Sequence, residues 1–201
     1  MGESANRGNR DVQHARIRKL TGIAMLTAIV VLLQLLGSFI RFGTFSVSLV
    51  LVPIVVGAAL YGSLAGLWLG FVFGAVILLS GDANLFLAIN IPGTLITVVP
   101  RAMCAGLFAG LVYRLLEKFN RYVAVVAAAI VCPITNTGLF LLGCRLFFWD
   151  TISQWAAGAG YASAGAYAIL GLAGLNFVFE LLLNCILSPV IVRLITLGER
   201  K

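Results

Sequence analysis

Arg101 lies in an otherwise uncharged apolar segment, TLITVVPRAMCAGL, which has the composition of a bilayer-spanning helix. A guanidinium in hydrocarbon is costly unless it faces protein, water or an anion, so an intramembrane arginine indicates a functional site. Arginine binds a carboxylate through two parallel charge-assisted hydrogen bonds. We therefore expect Arg101 to bind a small anion, with an internal acid as the alternative partner.

A second polar group stands in the segment CPITNTG, where Asn136 and Thr137 interrupt another apolar run. Counted from the same end of their helices, Arg101 and Asn136 lie at matching depth, in the outer half of the bilayer. Pro133 removes one helix hydrogen bond, and Gly138 is expected to permit close approach of a neighbour. The sequence therefore predicts backbone groups near Asn136 that are available to a ligand.

The last apolar segment carries Asn176, Glu180 and Asn184 at positions i, i+4 and i+8. This spacing places all three on one helix face, which must point into the protein. Glu180 is the internal acid that would pair with Arg101 if the arginine were only structural. Asn184, nearer the opposite end of its helix, is expected to join helices rather than to contact a ligand.

Catalysis is not expected, because the chain has no nucleotide-binding, zinc-protease or serine-hydrolase motif and its one histidine, His14, lies in the polar N-terminal tail. An intramembrane enzyme would have to depend on Glu180. No catalytic residue, cofactor or metal site is predicted. The cysteines lack paired spacing and are expected to be small packing residues.

These polar groups must be positioned by membrane helices, since 61% of the 201 residues are hydrophobic and only 10% are charged. We predict an all-α membrane protein, a compact bundle of six transmembrane helices. Residues 1–15 form a polar tail expected to be disordered, and residues 16–201 form the bundle. The predicted helices are 19–40, 47–60, 63–80, 93–116, 122–147 and 167–197.

The distribution of positive charge predicts the orientation. Basic residues precede the first helix, join the fourth to the fifth and end the chain, which is one side of a six-helix layout. The positive-inside rule makes that side cytoplasmic, so both termini are predicted to be cytoplasmic. The net charge of +7 therefore reflects topology, and nucleic-acid binding is not expected.

Small residues recur every fourth position in three segments. Gly62, Gly66, Gly70 and Gly74 do so in the third helix, Gly106 and Gly110 in the fourth, and Ala24 and Ala28 in the first. Such spacing allows helix backbones to approach closely. Internal packing is the simplest interpretation of all of them.

With this layout, the chain resembles the substrate-binding S components of energy-coupling factor (ECF) transporters, which import vitamins into bacteria. The resemblance covers residues 16–201 and rests on six helices with cytoplasmic ends, a basic tail, and Ala24-x-x-x-Ala28 where the family carries an A-x-x-x-A motif. Val99-Pro100-Arg101 and the segment around Asn136 look most like the pantothenate-type members.

The resemblance implies a multi-pass protein of the bacterial cell membrane that captures a vitamin outside and topples against a membrane T component driven by two ATPase subunits. Ala24 and Ala28 would meet the T component. Loops around Thr44 and from Asp82 to Pro92 would cover the pocket, and Phe42, Phe45 or Phe140 would line its apolar end. The substrate-binding residues would be Arg101, Asn136, Asn90, Thr137, Glu180 and Asn176.

Two other functions stay open at this point. The substrate could be another small vitamin or precursor, since an arginine suits any carboxylate. The chain could also be a solitary secondary carrier or channel, which would have no reason to expose an alanine surface and would transport without ATP.

Overall fold

The computed structural model describes residues 2–39, 41–42, 45–46 and 49–199, with side chains described at 13–14, 16–38 and 49–196. The described chain is almost entirely helical. Its elements are α1 (Gly2–Phe39), β1 (Arg41–Phe42), β2 (Phe45–Ser46), α2 (Leu51–Tyr61), α3 (Ser63–Leu79), α4 (Asn84–Leu87), α5 (Ile91–Leu116), α6 (Arg121–Phe147), α7 (Trp149–Gly158), α8 (Ala164–Ala166), a π-helical segment (Tyr167–Gly174) and α9 (Leu175–Glu199).

Four helical stretches of the described chain are long and apolar enough to cross a membrane. They are Arg16–Ser38, Ile91–Leu116, Arg121–Phe147 and Ala164–Thr196, while α2 and α3 are shorter apolar helices. All six predicted helices are therefore present as helices, and four have full bilayer length. The six-span arrangement and the orientation of the ends stay predictions.

Several elements differ from the sequence expectations. Residues 2–15 have a helical backbone continuous with α1, and extending an existing helix costs far less than nucleating one. The division of the chain into a polar tail and a bundle stays a prediction. The antiparallel pair β1–β2 and the amphipathic helix α7 were not predicted, since both lie in connections between the predicted membrane helices. The last helix begins at Tyr167, as predicted, but its first eight residues form a π-helical segment, and apolar periodicity alone does not show the change of helix type.

Helix α5 packs extensively against both α3 and α6, and the small-residue spacing explains the closeness of α3 and α5. A Cβ added at Gly66 would collide with the carbonyl group of Gly106, and one added at Gly106 would collide with that of Gly66. Gly70 lies equally close to the carbonyl of Ala102. The predicted packing role of these glycines is confirmed. Gly138 differs, because nothing lies within 4 Å of its missing Cβ, so the expected close approach there is wrong.

Contacts between connections show which ends of the helices lie together. At one end Gly22 of α1 packs against Tyr61, and the Gly62 turn, with φ of 96°, lies beside Arg114. At the other end Ser38 of α1 reaches Asp82 in the α3–α4 connection. The basic residues near α1, α5 and α6 therefore share one end of the bundle, and the polar Asp82 connection lies at the opposite end.

Candidate functional site

A cavity of about 180 Å³ lies near the Asp82 end of the bundle, lined by α1, α3, the α3–α5 connection, α5, α6, the π-helical segment and the start of α9. It is lined by both polar and apolar side chains. These are Gln34, Phe73, Ile77, Asp82, Ala83, Phe86, Val98, Arg101, Asn136, Thr137, Phe140, Leu172, Ala173, Asn176 and Glu180. Five of the six residues predicted to bind substrate therefore meet in one cavity.

Arg101 is held in the cavity wall by α5 and by an aromatic ring from α6. Its Cζ atom lies 4.8 Å from the centre of the Phe140 ring, within the range of a cation–π interaction. Its Nε atom is buried and has no hydrogen-bond partner. The guanidinium is thus fixed by packing, while a hydrogen-bonding group remains unused.

Glu180 lines the same cavity, and its charge interacts with that of Arg101. The structure shows no salt bridge between these two described residues, and Glu180 Oε2 is buried without a partner. A direct structural ion pair, the alternative raised by the sequence, is therefore not formed. If Arg101 and Glu180 served only to hold the bundle together, we would expect a direct salt bridge, because buried charges that are not in contact are costly.

The asparagines around Glu180 have different roles. Asn176 Nδ2 donates a hydrogen bond of 3.3 Å to Glu180 Oε1, and Asn136 lies close to the same carboxylate. Asn184 Nδ2 donates to the backbone carbonyl of Glu180 at 2.8 Å and does not line the cavity. As the spacing predicts, Glu180 and Asn184 point inward, with exposed fractions of 2% and 1%.

The outer wall of the cavity is formed by the connection between α3 and α5. Asp82 Oδ2 accepts hydrogen bonds from Gln34 Nε2 at 2.7 Å, Ser38 Oγ at 2.5 Å and Ser80 Oγ at 3.1 Å. Two of these donors belong to α1, so one carboxylate oxygen ties the connection to that helix. We call residues 81–90 the roof.

An aromatic cluster continues the roof toward α6 and α7. Phe86 of α4 makes edge-on contacts with the rings of Phe140, Phe148 and Trp155, at centre distances of 5.7, 5.0 and 5.9 Å. Phe140 is the ring that also contacts Arg101. Packing of the roof and position of the guanidinium are therefore coupled through one side chain.

The remaining predicted residues are placed as follows. Asn90 does not line the cavity; its Oδ1 accepts a hydrogen bond from Gly93 N at 2.9 Å and caps α5, the role its position before a helix favours. Thr44 and the side chains of Phe42 and Phe45 lie outside the described residues.

Sequence reasoning missed Gln34, Phe86 and most of the apolar lining. Gln34 carried a usable signal, because it is an uncharged polar residue within an apolar span and is only 5% exposed. Phe86 is one of several aromatic residues in connections, and nothing in its sequence context marks it.

A separate groove of about 630 Å³ lies between α1 and α3 near the basic end of the bundle. Ala24 lines it together with one basic, one hydroxyl and several apolar neighbours, namely Lys19, Thr27, Leu20, Ile23, Leu64, Ala65 and Trp68. Trp68 Nε1 donates a hydrogen bond of 3.2 Å to Thr27 Oγ1 across it. Both Ala24 and Ala28 are exposed, so they do not pack inside this chain as Gly66 and Gly106 do.

Comparison with known proteins gives the class of this chain. The profile of the family described as "ECF transporter, substrate-specific component" matches residues 18–192. The chain therefore belongs to that family, whose members are substrate-binding parts of membrane transporters and not a class of enzymes.

A solved structure supports the fold. The structure titled "Native-SAD phasing for ThiT from Listeria monocytogenes serovar" is similar with a TM-score of 0.65 and 18% sequence identity, covering 89% of this chain and 95% of that one. At this identity the similarity concerns the fold. No curated protein shows significant sequence similarity to the chain.

Proposed function

We propose that this protein is the substrate-capturing subunit of an ATP-driven vitamin importer of the bacterial cell membrane, and that its cavity binds a small carboxylate-bearing vitamin, pantothenate. The observation that carries the proposal is Arg101, which lines the cavity and has a buried, unpaired Nε although an acid, Glu180, lines the same cavity. A ligand carboxylate would accept two hydrogen bonds from this guanidinium and remove the cost of leaving it unpaired.

The dimensions of the cavity support a small substrate. About 180 Å³ is less than the roughly 300–1,000 Å³ typical of sites for drug-sized ligands. The volume favours a small flexible molecule over a large rigid vitamin such as riboflavin. Phe73, Ile77 and Phe140 provide apolar surface for the gem-dimethyl end of pantothenate.

The transport role rests on the family and on the exposed alanines. In this proposal both termini and the basic end are cytoplasmic, and the Asp82 roof faces outward. Ala24 and Ala28 form the surface that meets the T component, to which two ATPase subunits supply energy. The adjacent α1–α3 groove gives a partner helix room to approach α1 closely.

The central experiment is calorimetry on the purified subunit with pantothenate and with pantothenol, which replaces the carboxylate by an alcohol. A charge-assisted hydrogen bond contributes about 1.5–3 kcal/mol, so pantothenol should bind about 10–150-fold more weakly. Arg101→Ala should abolish binding, and Arg101→Lys should weaken it because the two-pronged contact is lost.

Three results would change the conclusion. No heat with pantothenate would reject this substrate and leave family membership unaffected. Full binding by folded Arg101→Ala, with stability restored by adding Glu180→Ala, would show that Arg101 is structural. Substrate accumulation in liposomes containing this chain alone would favour a solitary carrier.

A further inference from the structure

Most of the unpaired hydrogen-bonding groups around the cavity are acceptors. Four side-chain atoms of described residues that line it are buried without a partner. One is a donor, Arg101 Nε. The other three are acceptors, namely Glu180 Oε2, Asn136 Oδ1 and Asn176 Oδ1.

A ligand carboxylate could pair only with the donor, Arg101 Nε. Carboxylate oxygens accept hydrogen bonds and cannot donate, so a ligand with no other polar group would leave all three acceptors unpaired. It would also bring a negative charge toward Glu180 without compensation. The three acceptors therefore need hydrogen-bond donors from a different part of the ligand.

The acceptors are held in place by neighbouring groups. Asn176 uses its Nδ2 to donate to Glu180 Oε1, which fixes the direction of its own oxygen. Asn136 lies close to the same carboxylate and is only 4% exposed, while Glu180 is 2% exposed. These side chains form a buried cluster with fixed acceptor oxygens, which we call the acceptor pole.

We infer that the cavity selects a ligand that carries, besides the carboxylate for Arg101, at least two hydroxyl or amide N–H donors that bind Glu180, Asn136 and Asn176. This inference rests on the proposed function and specifies the substrate class further. Simple apolar carboxylates are excluded, since a buried site built to receive a hydroxyl rejects the analogue that lacks it. Pantothenate, with two hydroxyls and one amide N–H, belongs to the selected class.

The test compares pantothenate with N-(3,3-dimethylbutanoyl)-β-alanine, which keeps the carboxylate, the amide and the branched carbon but lacks both hydroxyls. Calorimetry on the purified subunit should show at least about 100-fold weaker binding of this analogue. Glu180→Gln, which keeps the shape and removes the charge and one acceptor, should reduce that ratio to about 10-fold or less. The buried Ser188→Ala, below the cavity on the same helix, serves as control and should leave the ratio unchanged.

The outcomes separate this inference from the proposed function. Equal binding of the two compounds by the wild-type protein would overturn the inference about the acceptor pole and leave the proposed carboxylate site unaffected. An unchanged ratio in Glu180→Gln would overturn it as well.

If neither compound binds, pantothenate is rejected as the substrate. The inference is then tested by the stability of the unliganded protein. Glu180→Gln should leave its unfolding temperature unchanged or higher, because glutamine keeps an oxygen that can accept from Asn176 and removes the buried, unpaired Oε2 acceptor. A decrease of several degrees would show that the carboxylate is satisfied within the protein and would overturn the inference.

Discussion

The substitution Gly106→Ala tests the close backbone contact between α3 and α5. The added methyl group would collide with the carbonyl group of Gly66 and lie 3.1 Å from Cγ2 of Ile54. The carbonyl group of Gly66 is part of the backbone, which cannot rotate away as a side chain does. Helices α3 and α5 must therefore separate along the whole row of small residues. This row also includes the close contact of Gly70 with Ala102.

The size of the effect follows from two opposing contributions. Overpacking of a well-packed interface costs typically about 1–3 kcal/mol and more where the backbone must move. Replacing glycine by alanine inside a helix returns up to about 1 kcal/mol. Because backbone must move here, we expect a net loss of about 2 kcal/mol, which for a chain of this size lowers the unfolding temperature by about 4–8 °C.

A matched control is available on α6. Gly138 also lies within a helix, but nothing lies within 4 Å of its missing Cβ. Gly138→Ala should therefore gain the full helix-propensity stabilisation of about 1 kcal/mol without a clash, and the unfolding temperature should rise by about 2–4 °C. Both variants are compared with the wild type by tryptophan fluorescence during thermal unfolding in the same detergent. Equal stability of Gly106→Ala and Gly138→Ala would refute the close α3–α5 crossing.

Three further predictions concern function. Ala24→Trp should leave ligand binding intact and strongly reduce ATP-driven uptake by the full complex, because the exposed alanine surface is blocked. The neighbouring exposed Met25→Trp is the control, and unchanged uptake in Ala24→Trp would remove the interface assignment. Asp82→Ala should accelerate ligand dissociation about 10-fold or more in stopped-flow measurements, since the roof loses its charge-assisted hydrogen bonds to α1; an unchanged rate would show that the roof does not close the cavity. Phe140→Leu should weaken ligand binding about 2–30-fold by calorimetry, because it removes a cation–π contact of about 0.5–2 kcal/mol, and unaltered affinity would separate that contact from Arg101 function.

The cost of placing polar groups in hydrocarbon made much of the site predictable. Arg101, Asn136 and the Asn176–Glu180 pair stand out in apolar segments, and each lines the cavity. Asn90, also predicted to bind substrate, lies at a helix start, where its side chain caps α5. A polar residue in a connection has cheaper ways to satisfy its hydrogen bonds, so its type alone does not predict ligand contact.

The sequence by itself determined which segments are apolar helices, where positive charge accumulates and which polar groups must be buried, because transfer costs are properties of single residues and their periodicity. Only the tertiary structure decided that Arg101 stacks on Phe140 and stays apart from Glu180, and that Asp82 ties the roof to Gln34 and Ser38. These contacts join residues far apart in the chain. They depend on the rotation and separation of each helix, which the backbone contact of Gly66 with Gly106 fixes and no local pattern encodes.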